Sequence, residues 1–243
     1  MSEQFETGHA RNLAAFQTII SYCSSYGTTY KPMQANLQLA SLQTQHTNAE
    51  TALAEAKKKQ VAFTNATNTR AENFQPLKTM AMRIIYALAA AGVSPKTLDS
   101  AKTIKRKIVG KRVSKINEEQ SPEENIEKQN SASQQSFDQI LSAFNTLIEL
   151  AETQASYQPS ETDLQIAQLK TYAATLKTAN SGVITAKTDW AASRTERNKL
   201  LYSPQTGIVD TVQQIKNYVR SIYGPSDPEY KKVSGIELKS INL

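Results

Sequence analysis

With 243 residues, 39% of them hydrophobic, the chain has the material for a true core and is too apolar for a disordered polymer. Only eight glycines and eight prolines interrupt it, and Ala, Gln, Lys, Leu, Thr and Ser are abundant, which excludes a turn-rich all-β fold and suits long helices. The formal charge of +6 permits an acidic partner without specifying one.

The single cysteine, Cys23, cannot form an internal disulfide, and the first twenty residues lack the order of a secretory signal. Both features predict a cytoplasmic protein. The most apolar stretch, Met80 to Val93, is broken by Arg83 and is shorter than the roughly 18 apolar residues that a membrane span needs. No transmembrane segment is expected.

The sequence repeats itself. At an offset of 127, Tyr30 falls on Tyr157, Pro32 on Pro159, Leu37 on Leu164, Leu42 on Leu169, Phe63 on Trp190 and Arg70 on Arg197. Leu13, Ile20 and Cys23 take the same shift onto Ile140, Leu147 and Leu150. Beyond that point Pro76 matches Pro204 at 128, and Tyr86 and Gly92 match Tyr218 and Gly224 at 132. The four added residues are about one helical turn, so the expectation is a lengthened third helix that keeps its buried face in phase.

Helix one is predicted from about Asn12 to Tyr26, with Leu13, Phe16, Ile19, Ile20 and Cys23 along one side, and its copy from about Gln134 to Ala155. Helix two runs from about Asn36 to Arg70 without a proline or glycine, on a stripe of Leu39, Leu42, Ala49, Leu53, Ala56 and Phe63. Its copy, Asp163 to Arg197, has Gly182 as its one weak interior point. Helix three is predicted to begin at Pro76 and at Pro204, with Ser203 as N-cap of the second copy, and to end at the C′ glycines Gly92 and Gly224. Ser94 with Pro95, and Asp227 with Pro228, then cap and open a fourth helix.

Between the halves lies a polar, acidic segment, 117–135, read as a solvated linker or a helix start. The division predicted is therefore a first helical repeat, 1–116, this linker, and a second repeat, 136–243. The fold class is all-α: two homologous antiparallel helical bundles in tandem, built on long helices.

Near the C-terminus the pattern Tyr223, Gly224, Glu229, Tyr230, Lys231 resembles that of a group of uncharacterised bacterial helical proteins with a tandem repeat. That resemblance implies no activity, ligand or partner.

Residues able to do chemistry mostly have structural roles in this reading. Cys23 sits in the apolar register of helix one and aligns with Leu150, so it belongs to the core rather than to a nucleophile. His9 falls in a terminal tail and His46 on a polar turn, where Glu50 four residues on is too little for a metal site; the counterparts of the latter two, Ala173 and Lys177, could not ligate. Glu72 and Glu196 read as surface. Phe63 with Trp190, and Tyr30 with Tyr157, read as core packing, and Tyr218, Tyr223 and Tyr230 as half-buried rings. Phosphate loops and Gly-x-Ser-x-Gly turns are absent from the sequence. No catalytic, cofactor or metal site is predicted, and the chain is not expected to be an enzyme.

One bias remains, the run Lys102, Lys105, Arg106, Lys107, Lys111, Arg112 and Lys115, with no equal density in the second half. It could hold nucleic-acid phosphates or an anionic membrane surface, or it could lie against Glu118, Glu119, Glu123, Glu124 and Glu127 just beyond it. The function read from the sequence is a non-enzymatic scaffold or interaction protein, with a protein partner or self-association. The alternatives are a nucleic-acid-binding module using 102–116 and an amphipathic protein associating with membranes through Met80 to Val93.

Overall fold

Apolar side chains at three- and four-residue spacing leave these segments one way to bury a stripe, and each becomes a helix. A computed structural model describes residues 3–110 and 136–240, all-helical and with no strand among them. The helices are α1 (Glu3–Ser25), α2 (Leu39–Phe74), α3 (Leu77–Ala90), α4 (Pro95–Val109), α5 (Phe137–Glu152), α6 (Ile166–Tyr202), α7 (Ile208–Tyr223) and α8 (Pro228–Ser234), with 3-10 turns at Gly27–Thr29, Ala35–Leu37 and Thr162–Leu164. The acidic segment 117–135 lies outside the described residues.

Contacts gather the chain into two compact units, and these do not follow the sequence halves 1–116 and 136–243. The first unit holds residues 1–63 with 186–243, and the second holds 64–185. The physical reason is length. Helices α2 and α6 have 36 and 37 residues, on the order of 54 Å at about 1.5 Å per residue. Helices α3, α4, α5 and α7 have 14, 15, 16 and 16 residues and reach only about 21–24 Å. A neighbour of that size covers less than half of a long helix, so each long helix needs two sets of neighbours.

In the second unit α4 packs against α3 and α5, α5 touches α3, and the turn Thr162–Leu164 rests on α3. In the first unit α8 packs against α7 and α1, α1 touches α7, and the turn Ala35–Leu37 rests on α7. The pairings match one for one with the sequence halves exchanged. The second core is built on Ala81, Ile84, Leu88, Ala101, Ile108, Phe144, Leu147 and Leu169; the first is built on Phe16, Ile19, Cys23, Leu42, Ile208, Ile215, Val219 and Val233.

Two local expectations are corrected. The extra residues of the second half do not chiefly lengthen helix three. Two residues separate α2 from α3 and five separate α6 from α7, so most of the insertion is a turn. Pro204 lies inside that turn, and the N-cap of α7 is Gly207 rather than Ser203. Gln205 breaks the helix there with φ 66°, held by the Asp210 carboxylate, which accepts from its N–H at 2.8 Å. At Gly207 an added Cβ would meet the Ser203 backbone at 2.6 Å, so no larger residue fits. His9 is the second correction: α1 begins at Glu3, and His9 is a buried helical residue, not part of a tail.

The stop-and-start device is as expected. Gly92 (φ 68°) and Gly224 (φ 83°) end α3 and α7 in a conformation that β-branched residues resist. Ser94 then accepts from Thr97 N–H, and Asp227 from Glu229 N–H, ahead of Pro95 and Pro228. Space is not limiting at either glycine, since nothing lies within 4 Å of an added Cβ. Gly92→Val and Gly224→Val should therefore each lose about 1–3 kcal/mol from backbone strain alone. By contrast Gly182→Ala, in the interior of α6 with equally open space, should gain about 0.5–1 kcal/mol. Thermal melting of the three variants checks both signs.

Candidate functional site

The charged candidate surface begins with α4, whose buried side is Ala101 and Ile108 with Leu98 and Ile104 partly covered. That register fixes where the cations go. Lys102 and Arg106, one turn apart, are exposed, and Lys102 pairs with Asp99 at 3.2 Å. Lys105 turns toward α3, where its ammonium lies 3.1 Å from the Met82 sulfur, a weak acceptor. Lys107 lines a shallow groove of about 190 Å³ with Ile104, Gln139, Ser142, Ala143 and Thr146, on the α5 side. Gly110 closes the helix with φ 75°. The predicted contacts Lys111, Arg112 and Lys115 lie outside the described residues, as do Glu118, Glu119, Glu123, Glu124 and Glu127. Four of the seven predicted residues thus share one helix, but they do not share one face.

On α3, Lys78, Met82 and Tyr86 form a row at four-residue spacing. Tyr86 is 67% exposed. Arg83 beside that row is engaged by Asp163, whose carboxylate takes both of its terminal nitrogens; the shared hydrogen bonds hold the carboxyl below its usual range. The apolar stretch Met80 to Val93, the membrane-facing element of one sequence reading, puts Ala81, Ile84, Ile85 and Leu88 into the second core. Among the described residues no helix is long and apolar enough to cross a membrane.

The remaining candidates are structural. Cys23 is fully buried, and burial pushes its thiol up to about 11, leaving it protonated and inert at neutral pH. His46 stands 6.3 Å from the Phe16 ring, and no cluster of metal-ligating side chains occurs among the described residues. Glu72 and Glu196 are exposed, and Tyr218, Tyr223 and Tyr230 are half-buried, as the sequence predicts. Phe63 and Trp190 are also only half-buried; they stack on each other at 5.5 Å, each covering its own counterpart's ring.

Sequence reasoning missed the polar groups that tie down the loops. The Tyr30 hydroxyl donates to Leu37 O at 2.9 Å, and the Tyr157 hydroxyl to Leu164 O at 3.0 Å, both buried. The alignment of both residues at offset 127 is the signal that could have found this bond. In the first unit His9 Nδ1 lies 2.7 Å from the Tyr202 hydroxyl, which also accepts from Asn12 at 3.3 Å. Asn12 in turn donates to Lys239 O at 2.8 Å and accepts from Lys239 N–H at 2.9 Å. The Lys216 ammonium donates to Ser234 O and Ile236 O at 3.1 and 2.6 Å, and burial lowers its pKa. No periodicity reveals these contacts, because the partners are far apart in sequence. A groove of about 470 Å³ beside the inserted turn is lined by Ser41, Thr44, Gln45, Asn48, Lys199 and Thr206. Gln45 closes one side, donating to Thr206 O at 2.8 Å.

No protein-family model, curated protein or solved structure matches this chain.

Tyr30→Phe and Tyr157→Phe should each cost about 1 kcal/mol in denaturant unfolding, since each leaves a buried carbonyl without its donor. Burial also pushes the Tyr157 phenol from 10.0 up to about 12, with Arg83 opposing it. Its folded pKa is thus raised, so the unfolded chain loses its proton first and stability falls as pH rises from 10.0 to about 12. Tyr157→Phe should flatten that alkaline decline, read by urea titrations across the window.

Proposed function

We propose that the chain is a non-enzymatic helical scaffold, an internally duplicated interaction protein whose two halves complete each other's cores. The observation that carries this reading is the composition of the compact units, each drawing helices from both halves of the sequence. The same hydrogen bond at Tyr30 and Tyr157, the paired glycine stops and the meeting of Phe63 with its counterpart Trp190 support duplication as its origin. The buried polar groups support the scaffold role. Asn12, Tyr30, Tyr157 and Lys216 are all committed to main-chain carbonyls, which fixes loops rather than preparing a group for chemistry.

The partner on this reading is another protein or a second copy of the chain, held on exposed helix faces. Among the described residues Val61 and Ile184 on helices, and Met33 on the loop before Ala35–Leu37, are large apolar side chains that stand in solvent together with Tyr86. Lys199 and its groove offer a polar alternative to them.

Two experiments test the proposal. Residues 1–116 and 117–243 expressed apart should each lack a cooperative melt and should regain one on mixing, because neither half holds a complete core; independent melting of either half would overturn the interleaving. For the scaffold role, host extract should yield a partner at fixed stoichiometry with wild type, lost in a Met33→Asp, Ile184→Asp variant of unchanged melting temperature. A chain that retains no protein, stays monomeric and turns over a substrate would overturn it.

A further inference from the structure

The aligned tyrosines Tyr86 and Tyr218 are used in opposite ways. In the first unit Tyr218 sets its ring edge-on to Tyr30 at 5.3 Å, and its hydroxyl accepts from Lys31 N–H at 3.0 Å. The following helix there is α8, only seven residues long, where Lys232 is paired with Glu229 at 2.7 Å. In the second unit Tyr86 stands 67% exposed, and the following helix α4 has 15 residues and carries Lys96, Lys102, Lys105, Arg106 and Lys107 against the single acid Asp99, which pairs with Lys102 alone at 3.2 Å. The same framework has therefore closed one face and left the other open, aromatic and cationic.

We propose that this α3–α4 face binds single-stranded nucleic acid, with phosphates on Lys102, Lys105 and Arg106 and a base stacked on Tyr86. The geometry joins the two parts. The Lys105 ammonium reaches the Met82 sulfur at 3.1 Å, and Met82 and Tyr86, one turn apart on α3, lie about 5–6 Å from each other at Cβ. Lys102 and Arg106 continue the charge along α4, about 6 Å apart at about 1.5 Å rise per residue. Arg106 and Lys105 meet no carboxylate among the described residues, so their charge is available for an anion. Arg83, which flanks the row on α3, is already engaged by Asp163.

Charge complementarity and the ring together select the occupant. A lipid surface would need an apolar face to enter it, and the apolar sides of α3 and α4, Ile84, Leu88, Ala101 and Ile108, are in the core. An acidic peptide would satisfy the cations and leave the ring bare. A duplex keeps its base faces inside its own stack. A single strand offers both phosphates and free base faces, the pairing that such sites use. The proposal goes beyond the scaffold reading and does not depend on it.

The test is fluorescence anisotropy of a labelled mixed-sequence strand of about 12 nucleotides, within the range such sites span, with the full chain at about 50 mM salt, where phosphate contacts are strong. Wild type should bind with log K falling linearly in log salt. Lys102→Gln, Lys105→Gln and Arg106→Gln together should reduce that slope by about 2, three contacts at about 0.7 each. Tyr86→Ala should weaken binding roughly 5- to 150-fold at unchanged slope, while Tyr86→Phe keeps it, as loss of one stack requires. All variants are on exposed or half-exposed positions, and circular dichroism should show unchanged helicity. Absence of binding overturns the proposal. So does full affinity in Tyr86→Ala, or equal affinity for duplex, poly-glutamate or phosphatidylserine vesicles, each of which would reduce the face to charge alone.

Discussion

The structure depends on a mismatch of length. Helices α2 and α6 are more than twice as long as most of the helices that pack on them, and an amphipathic stripe must be covered along its whole length to hold a helix in water. One set of short helices cannot do that. Each long helix therefore enters both compact units: the first unit joins the two ends of the sequence, 1–63 with 186–243, and the second is its middle, 64–185. Closing loops between such distant segments costs entropy, but the cost grows only slowly with loop length, while the apolar area gained is in direct proportion to the helix covered.

Polar groups then lock what the apolar seams leave free. The segments after α1 and α5 have little core of their own, and each is held by a tyrosine hydroxyl on a leucine carbonyl seven residues on. The C-terminal segment is held by Asn12 and Lys216 through the main-chain atoms of Ser234, Ile236 and Lys239. A main-chain carbonyl accepts with little regard to which side chains surround it, so this kind of lock tolerates substitution around it. Leaving such a carbonyl buried without a donor is costly, which makes these few residues more important than their number suggests.

Where the halves diverge, the divergence is local. The inserted turn at 203–207, with Gln205 at φ 66°, is tied to the first unit by Gln45 and Asp210. The fourth helix has 15 residues in one half, with Lys96, Lys102, Lys105, Arg106 and Lys107 on it, and seven in the other, with Lys231 and Lys232. Packing constrains the buried side of both helices, Ile108 in one and Val233 in the other. Their outer sides are free to differ, and it is on an outer side that partner recognition can be added without loss of stability.

The sequence by itself determined the helices and the devices at Gly92 with Ser94 and at Gly224 with Asp227, because these depend on neighbours within a few residues. Gly92 with Ser94 and Pro95 is an instance: cap, stop and restart are all local chemistry. It also placed Cys23 in the core and Lys102 and Arg106 on a surface, since periodicity alone assigns a face. Which helices share a core was decided only in three dimensions. The stripe on α2 demands partners but carries no information on which half supplies them, and the lengths that decide the matter are compared only when the helices pack. The same holds for His9, buried through Tyr202 at a separation of 193 residues, and for Tyr86, exposed where its aligned partner is covered. Burial at those sites is a property of the surroundings that tertiary packing brings to them, and no local pattern encodes it.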